Sequence, residues 1–226
     1  MEELLNLLSP FGNDFGFSMK TFNDYADLVL YPQELELLGS KVVQKRRIEF
    51  CLGRGAAHIA LKKIGLCNYP ILKGIHNEPL WPKGVVGSIS HCDEIALAAV
   101  ALKEKSSGIG LDIERKDNNV EGIKSEVCTI RELDWVNGGN KQSSERIIMV
   151  FSAKESAFKA LFPINGVFLN FLDAELIWDE NKKSFSGRLL KSAGLYYGEG
   201  YIFEVGCKEN ENYIFTFISL PPFVSF

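Results

Sequence analysis

Residues 46–64 of the chain read RRIEFCLGRGAAHIALKKI, with apolar side chains that recur at intervals of three and four residues. This spacing gives a helix one apolar face, and we predict a helix from about residue 40 to residue 64. Gly65 follows as a natural stop, because glycine is common just past the end of a helix. The next two apolar segments, VVGSIS (85–90) and IALAAVAL (95–102), are joined by HCDE and are predicted to form a β-hairpin or a pair of neighbouring strands.

The second half of the chain repeats this order of elements. We predict a strand at GIGLDIE (108–114), a second helix over residues 144–161, and further strands in LNFLDAELIWD, SFSGRLL, GYIFEVGC and YIFTFISL. The polar stretch 115–145 is predicted to be an irregular or partly helical insertion, with turns at KDNN and NGGN. We therefore predict an α+β pseudo-dimer of two similar halves, 1–111 and 112–226. Each half is a long helix packed on a small, mainly antiparallel sheet, with an active site at their interface.

Composition and charge exclude several classes of protein. The 226 residues are 46% hydrophobic and 24% charged, as in a folded globular chain. A formal charge of −4 gives no support for nucleic-acid binding. No apolar stretch reaches the roughly 18 residues of a membrane span, so we expect no stable membrane insertion. The N-terminus opens with two glutamates and does not resemble a secretory signal. The five scattered cysteines favour free thiols, and we expect a cytoplasmic protein.

Three carboxylates are candidates for a metal site. Asp112 and Glu114 are two residues apart on the predicted strand and share a face, and Glu155 lies on the second predicted helix. Oxygen ligands from separate elements suit a hard divalent cation such as Mg²⁺ and leave coordination positions for phosphate oxygens. The alternative is that these are ordinary solvent-facing charges, as most carboxylates are.

A set of cations complements the carboxylates. Its members are Arg46, Arg54, Lys73, Lys154 and Lys159. Arg46 and Arg54 are eight residues apart, close to two turns, and therefore share one face of the first helix. A ligand with several phosphates needs this many cations. The alternative is a set of solvated helix faces, and for Lys159 an intrahelical ion pair with Glu155.

The histidines differ in their expected roles. His91, after Ser90 at the end of the first hairpin strand, either donates a hydrogen bond to a phosphate or is structural. His58 is expected to pack within the helix, and His76 to be solvated in a loop. The chain has no GxSxG elbow, no GxxxxGK[ST] loop and no recognisable Cys–His signature, which argues against those nucleophile and nucleotide-binding classes.

Four segments, taken together, resemble the 4′-phosphopantetheinyl transferases. They are RRIEFCLGRGAAHIAL, PILKGIHNEPLWPKGVVGSISHC, GIGLDIE and FSAKESAFKALFP, and they span about residues 45–163 in the family's order. The sequence is most similar to the larger, pseudo-dimeric class of surfactin- and enterobactin-synthetase activators, and within it to the enterobactin-type branch. The resemblance implies transfer of 4′-phosphopantetheine from coenzyme A to a serine of an apo carrier protein, with release of adenosine 3′,5′-bisphosphate. The carrier would be an acyl, peptidyl or aryl carrier of siderophore or other secondary-metabolite synthesis.

The resemblance also implies a role for each candidate residue. Mg²⁺, or Mn²⁺ in its place, would be held by Asp112, Glu114 and Glu155. The phosphates of coenzyme A would be bound by Arg46, Arg54, Lys73, Ser90 and His91, and the pyrophosphate would be supported by Lys154 and Lys159. Glu155 is the favoured base for the serine proton, with metal-bound hydroxide as the alternative, and Lys159 would stabilise the developing charge. Arg47 exchanges roles with Arg46 if the helix is rotated.

Two other functions remain open on the sequence. One is a non-catalytic module that binds coenzyme A or a carrier protein, and the other is a metal-dependent phosphohydrolase acting on a small nucleotide. Residues 115–145 contain no motif of the family, and the resemblance implies that the carrier protein binds in this stretch. Since two fused halves complete the site, we expect a monomer.

Overall fold

The structure is a computed structural model that describes residues 12, 14–39, 41–138 and 142–223. The chain divides into two compact units between Ile109 and Gly110. We call the described residues up to 109 the N-terminal unit and residues 110–220 the C-terminal unit. Most of the N-terminal segment considered as a secretory signal, residue 40 at the predicted start of the first helix, and two of the four residues of the predicted NGGN turn lie outside the described residues.

The N-terminal unit is built on a three-stranded antiparallel sheet. Its strand order is β1 (Phe15–Thr21), β5 (Ile95–Leu102), β4 (Val85–Cys92). Strands β4 and β5 form the predicted hairpin, in which Ser90 lies opposite Leu97 and His91 opposite Ala96. The loop predicted to carry His76 connects the two strands of a small second hairpin, β2 (Leu72–Lys73) with β3 (Pro79–Leu80).

The first long helix, α2 (Gln44–Lys63), covers this sheet, and the short helix α1 (Pro32–Glu36) precedes it. The predicted helix is confirmed, although it begins at Gln44. It packs against β1 and β5 through small side chains such as Ala60. The approach is close: a Cβ on Gly16 of β1 would lie 2.0 Å from the Ala60 carbonyl oxygen, so only glycine fits there.

The C-terminal unit has a five-stranded sheet with the order β6-β10-β9-β8-β7. The bounds are β6 (Gly108–Arg115), β7 (Ala174–Asp179), β8 (Ser184–Leu189), β9 (Ile202–Glu209) and β10 (Tyr213–Leu220). The strands from β7 to β10 pair with their sequence neighbours in antiparallel fashion. All the predicted strands are present, but β7 is shorter than its predicted segment because Phe171–Asp173 forms a 3₁₀ turn.

The second long helix, α5 (Ser143–Asn165), packs against β10 and ends at Gly166, whose backbone is left-handed. The segment before it contains two short helices, α3 (Lys124–Val127) and α4 (Ile130–Asn137), so the insertion is partly helical as predicted. Each unit is thus a long helix on a mainly antiparallel sheet, which confirms the predicted α+β class. None of the helices in the described residues is both long and apolar enough to cross a membrane.

Candidate active site

The acidic residues gather in the C-terminal unit, where β6 and α5 position them. Asp112 and Glu114 lie on β6, and Glu155 lies on α5 one turn before Lys159. Asp112 is only 3% exposed, and its Oδ1 accepts a hydrogen bond from Lys159 Nζ at 2.7 Å. Lys159 thus forms an ion pair from the helix to the strand, and the charge of Glu155, one turn earlier on the same helix, also attracts it.

The electrostatics show that these groups act on one another. Burial and the negative charge of Asp112 raise the pKa of Glu114 to about 7, and the charge of Glu155 adds to the rise. Lys159 and a 2.8 Å hydrogen bond from Asn118 Nδ2 oppose it. Burial likewise raises the pKa of Glu155, against the attraction of Lys159. The carboxylates are therefore crowded, and one ammonium offsets part of their repulsion.

This donor set matches a hard cation in its chemistry. Three carboxylates offer the oxygen ligands that Mg²⁺ prefers. Burial is the main cause of the raised pKa of Glu114, and repulsion from Asp112 and Glu155 adds to it; a divalent cation would relieve that repulsion. In the part of the chain that the structure describes, no three His, Cys, Asp or Glu side chains are already arranged as a metal-binding group. In this arrangement, Asp112 is instead paired with Lys159.

The cations of the first helix gather in the N-terminal unit around Phe50. Arg54 is 6% exposed, its guanidinium carbon lies 4.7 Å from the centre of the Phe50 ring, and Lys73 Nζ lies 5.4 Å from the same centre. Desolvation lowers the pKa of Arg54 to about 10, although the charge of Glu34 opposes the change. Desolvation and the charges of Arg46 and Arg54 lower the pKa of Lys73. Both shifts reflect positive groups held together in partly buried surroundings.

Arg54 and Lys73 are incompletely satisfied. Arg54 Nη2 donates to the Leu72 carbonyl at 3.4 Å, and its Nε has no hydrogen-bond partner among the described residues. Across those same residues, neither cation forms an ion pair with a carboxylate. A buried guanidinium with an unused donor is costly unless an anion arrives. The arrangement is therefore suited to binding an anion such as a phosphate.

Arg46 and His91 also lie together, as the predicted site requires. Arg46 Nη1 donates to His91 Nε2 at 3.0 Å, and Glu49 Oε2 lies 3.5 Å from the same Arg46 atom. The charge of Arg46 acts on Arg54 and Lys73, whereas that of Arg47 acts on Cys51. These contacts favour Arg46 over Arg47 in the cation set. Ser90, next to His91, is buried in β4 at 4% exposure.

Lys154 does not lie where a ligand could reach it. Its side chain is fully buried, and Nζ donates to Glu132 Oε2 at 2.7 Å and to the carbonyls of Val127 at 2.9 Å and Phe171 at 2.7 Å. All three ammonium donors are thus used inside the unit. The expected contact of Lys154 with a pyrophosphate disagrees with this placement, because a phosphate would have to displace three buried partners. We assign Lys154 a structural role.

The sequence reasoning missed the buried partners Glu34 and Glu132. Glu34 accepts hydrogen bonds from Tyr31 N and Ile71 N and pairs with His58. Glu132 accepts from Thr129 N and Leu176 N as well as from Lys154. The segment Thr129-Ile130-Arg131-Glu132 is a capping-box pattern, which could have identified Glu132. Phe50 was also missed, and no sequence signal separates it from an ordinary core aromatic residue.

Both halves of the chain match families of one kind. Residues 33–101 match the 4′-phosphopantetheinyl transferase N-terminal domain, and residues 108–216 match the 4′-phosphopantetheinyl transferase superfamily. The two matches meet close to the division between the two units.

Three curated relatives extend these matches. The chain is 37% identical to 4′-phosphopantetheinyl transferase Svp of Streptomyces mobaraensis over 72% of its own length and 66% of that protein. It is 32% identical to 4′-phosphopantetheinyl transferase PptT of Mycobacterium tuberculosis over 75% and 74%. It is 35% identical to enterobactin synthase component D of Escherichia coli K12, where it spans 59% of its own length and 63% of the relative. The chain belongs to the 4′-phosphopantetheinyl transferase superfamily.

Proposed function

We propose that the protein transfers the 4′-phosphopantetheine group of coenzyme A to a serine of an apo carrier protein. The observation that carries the proposal is the cluster of Asp112, Glu114, Glu155 and Lys159 in the C-terminal unit. A protein that only bound coenzyme A or a carrier would have no need of three crowded carboxylates, which cost free energy to hold together.

The cation set is proposed to bind coenzyme A. Arg54 and Lys73, with Arg46 and His91 beside them, would receive the adenosine 3′-phosphate and the pyrophosphate. Guanidinium groups can form two parallel hydrogen bonds to one phosphate, while the lysine supplies a point charge. Arg54 is already fixed by the Leu72 carbonyl and Phe50, so little side-chain entropy is lost when a phosphate binds.

The carboxylate set is proposed to act on the reaction itself. The oxygen of the carrier serine attacks the phosphorus that bears pantetheine. The new serine O–P bond forms as the P–O bond to the second phosphate breaks, and adenosine 3′,5′-bisphosphate leaves. Glu155 accepts the serine proton, a role for which its raised pKa suits it. Lys159 offsets negative charge that builds up near Asp112.

A divalent cation is proposed to complete the site. Asp112, Glu114 and Glu155 would hold Mg²⁺, or Mn²⁺, which when bound would neutralise charge on the pyrophosphate. All of these residues belong to one chain, so we propose that a single copy is sufficient. Among carriers we propose one of siderophore synthesis, because enterobactin synthase component D is among the relatives. With its five cysteines free, we propose a cytoplasmic location.

The proposal is tested by measuring the mass of the carrier protein before and after incubation. The protein is incubated with coenzyme A, Mg²⁺ and several apo carrier proteins, and each carrier is analysed by intact-mass spectrometry. We expect one carrier to gain the mass of one phosphopantetheine group in step with release of adenosine 3′,5′-bisphosphate. Bound coenzyme A without any gain would indicate a binding module instead. Nucleotide product formed in the absence of every carrier would indicate a phosphohydrolase.

The variant Glu155→Gln tests the proposed base. It keeps the size of the side chain but removes the proton acceptor, so turnover should fall by about 100-fold or more. Coenzyme A affinity, measured by calorimetry, should stay within a few-fold of the wild type because the cation set is unchanged. Transfer close to the wild-type rate would remove Glu155 from the proton transfer.

A further inference from the structure

We infer that Phe50 is a positioning residue for coenzyme A: its ring holds Arg54 and Lys73 together in a geometry ready to receive a phosphate. This inference rests on the proposed function and adds to it a residue that binds the substrate only indirectly. Phe50 lies on α2, one turn before Arg54, and is 6% exposed. Lys73 comes from a different element, the strand β2.

The geometry is that of one ring with two cations. The Arg54 guanidinium carbon is 4.7 Å and Lys73 Nζ is 5.4 Å from the ring centre, both within the range of cation–π attraction. The two cations repel each other, and the charge of Arg54 is among the causes that lower the pKa of Lys73. Attraction to the ring offsets part of that repulsion before any ligand is present.

A ring is chemically better suited to this task than a carboxylate. A carboxylate placed between Arg54 and Lys73 would accept their N–H donors and compete with an incoming phosphate. The ring attracts the same charges through its quadrupole without taking up those donors. In agreement, Arg54 Nε has no hydrogen-bond partner among the described residues, so this donor is available to a phosphate.

The hairpin that carries Lys73 is itself tightly closed. Gly74 N donates to the Glu78 carbonyl at 2.8 Å, and a Cβ on Gly74 would lie 1.9 Å from a Glu78 carboxylate oxygen. His76 N donates to the Glu78 carboxylate at 2.9 Å. Lys73 therefore comes from a constrained backbone, and the ring of Phe50 has only to orient its side chain.

The experiment compares Phe50→Leu with Phe17→Leu in the full chain. Phe17 has the same 6% exposure and lies in the same unit, so both changes remove a buried ring. Coenzyme A binding is measured by calorimetry, and transfer kinetics with coenzyme A or carrier as the varied substrate. Phe50→Leu should weaken coenzyme A binding about fivefold or more and raise its KM equally, with kcat and the carrier KM unchanged. Phe17→Leu should lower the melting temperature without changing that affinity.

A double-mutant cycle with Lys73→Met separates positioning from general loosening. If the ring acts through Lys73, Phe50→Leu should weaken binding less in the Lys73→Met background than in the wild type. Full additivity, or wild-type affinity of Phe50→Leu, overturns the inference. If Phe50→Leu does not fold, Phe50→Met replaces it in the cycle, since methionine also lacks the ring.

The binding measurement also separates this inference from the proposed function. Wild-type protein that binds coenzyme A but transfers nothing contradicts the transferase proposal. In that case the fivefold loss with Phe50→Leu still supports Phe50 as a positioning residue. Wild-type protein that does not bind coenzyme A contradicts both.

Discussion

Both units consist of a long helix packed on a sheet, but the functional side chains that they carry differ. In each unit a glycine lets a strand approach the long helix at the level of the backbone. A Cβ on Gly16 would lie 2.0 Å from the Ala60 carbonyl oxygen, and a Cβ on Gly110 would lie 1.7 Å from that of Ser156. The sequence shows a shared order of elements, and the structure adds corresponding positions within them.

The buried glutamates repeat in the same way. Glu34 and Glu132 each accept the backbone N–H at the start of their own short helix and another backbone N–H farther along the chain. Each also pairs with a side chain of the long helix, His58 at 2.8 Å and Lys154 at 2.7 Å. His58 and Lys154 both stand two residues before the helix residue that faces the glycine. The motif explains why Lys154 is structural in spite of its place beside Glu155.

The two units differ in the side chains that lie two and four residues after the glycine on each strand. In β1 these positions hold Ser18 and Lys20, whereas in β6 they hold Asp112 and Glu114. A lysine lies three residues after the helix residue that faces each glycine, and its partner differs between the units. Lys63 Nζ donates to a backbone carbonyl, that of Phe17, at 2.6 Å, whereas Lys159 Nζ pairs with Asp112. The framework is thus common to both units, while the carboxylate cluster is a property of one.

The largest expected effect on the transfer rate comes from removing the charge of Asp112, two residues after Gly110 on β6. Asp112→Asn keeps an oxygen acceptor for Lys159 but removes the charge, so transfer should fall by about 100-fold or more. Excess Mg²⁺ should not restore it fully. Ser18→Ala, at the corresponding position of β1, should leave the rate within about twofold, as a substitution outside the site should. Equal losses in the carrier-mass assay would contradict the assignment of chemistry to one unit.

The second expected effect tests the glutamate motif. Lys154→Met leaves the carboxylate of Glu132 buried without its cation and should lower the free energy of unfolding by about 3–5 kcal/mol. His58→Gln should cost less, about 1–2 kcal/mol, because glutamine keeps a donor for Glu34 and His58 is partly exposed. Urea unfolding followed by tryptophan fluorescence measures both changes. Under conditions where Lys154→Met is folded, its KM for coenzyme A should be unchanged, and a tenfold rise would return Lys154 to the ligand site.

The comparison also shows what the sequence could and could not predict. Periodicity placed both long helices and the hairpin of β4 and β5, because local apolar patterning follows the pitch of each element. The alternation in GIGLDIE placed Asp112 and Glu114 on one face, where the structure has them interact. Lys154 could not be judged in this way, since a lysine beside a catalytic glutamate has the same local pattern whether it faces a ligand or the interior. Its burial depends on Glu132, which is 22 residues away in sequence.

The smallest expected effect comes from replacing the two glycines, which tests whether the contact of strand and helix also supports catalysis. Gly16→Ala and Gly110→Ala each force a methyl group against a helix carbonyl, so each should lower the free energy of unfolding by about 1–3 kcal/mol. Only Gly110 lies on the strand that carries Asp112, two residues away, and a shift of β6 relative to α5 would disturb the contact with Lys159. Gly110→Ala should therefore also reduce kcat by about tenfold, because small displacements of reacting groups are costly. Gly16→Ala should retain wild-type kcat once folded. If both variants lost kcat equally at matched stability, the carboxylate cluster would depend on the framework of both units.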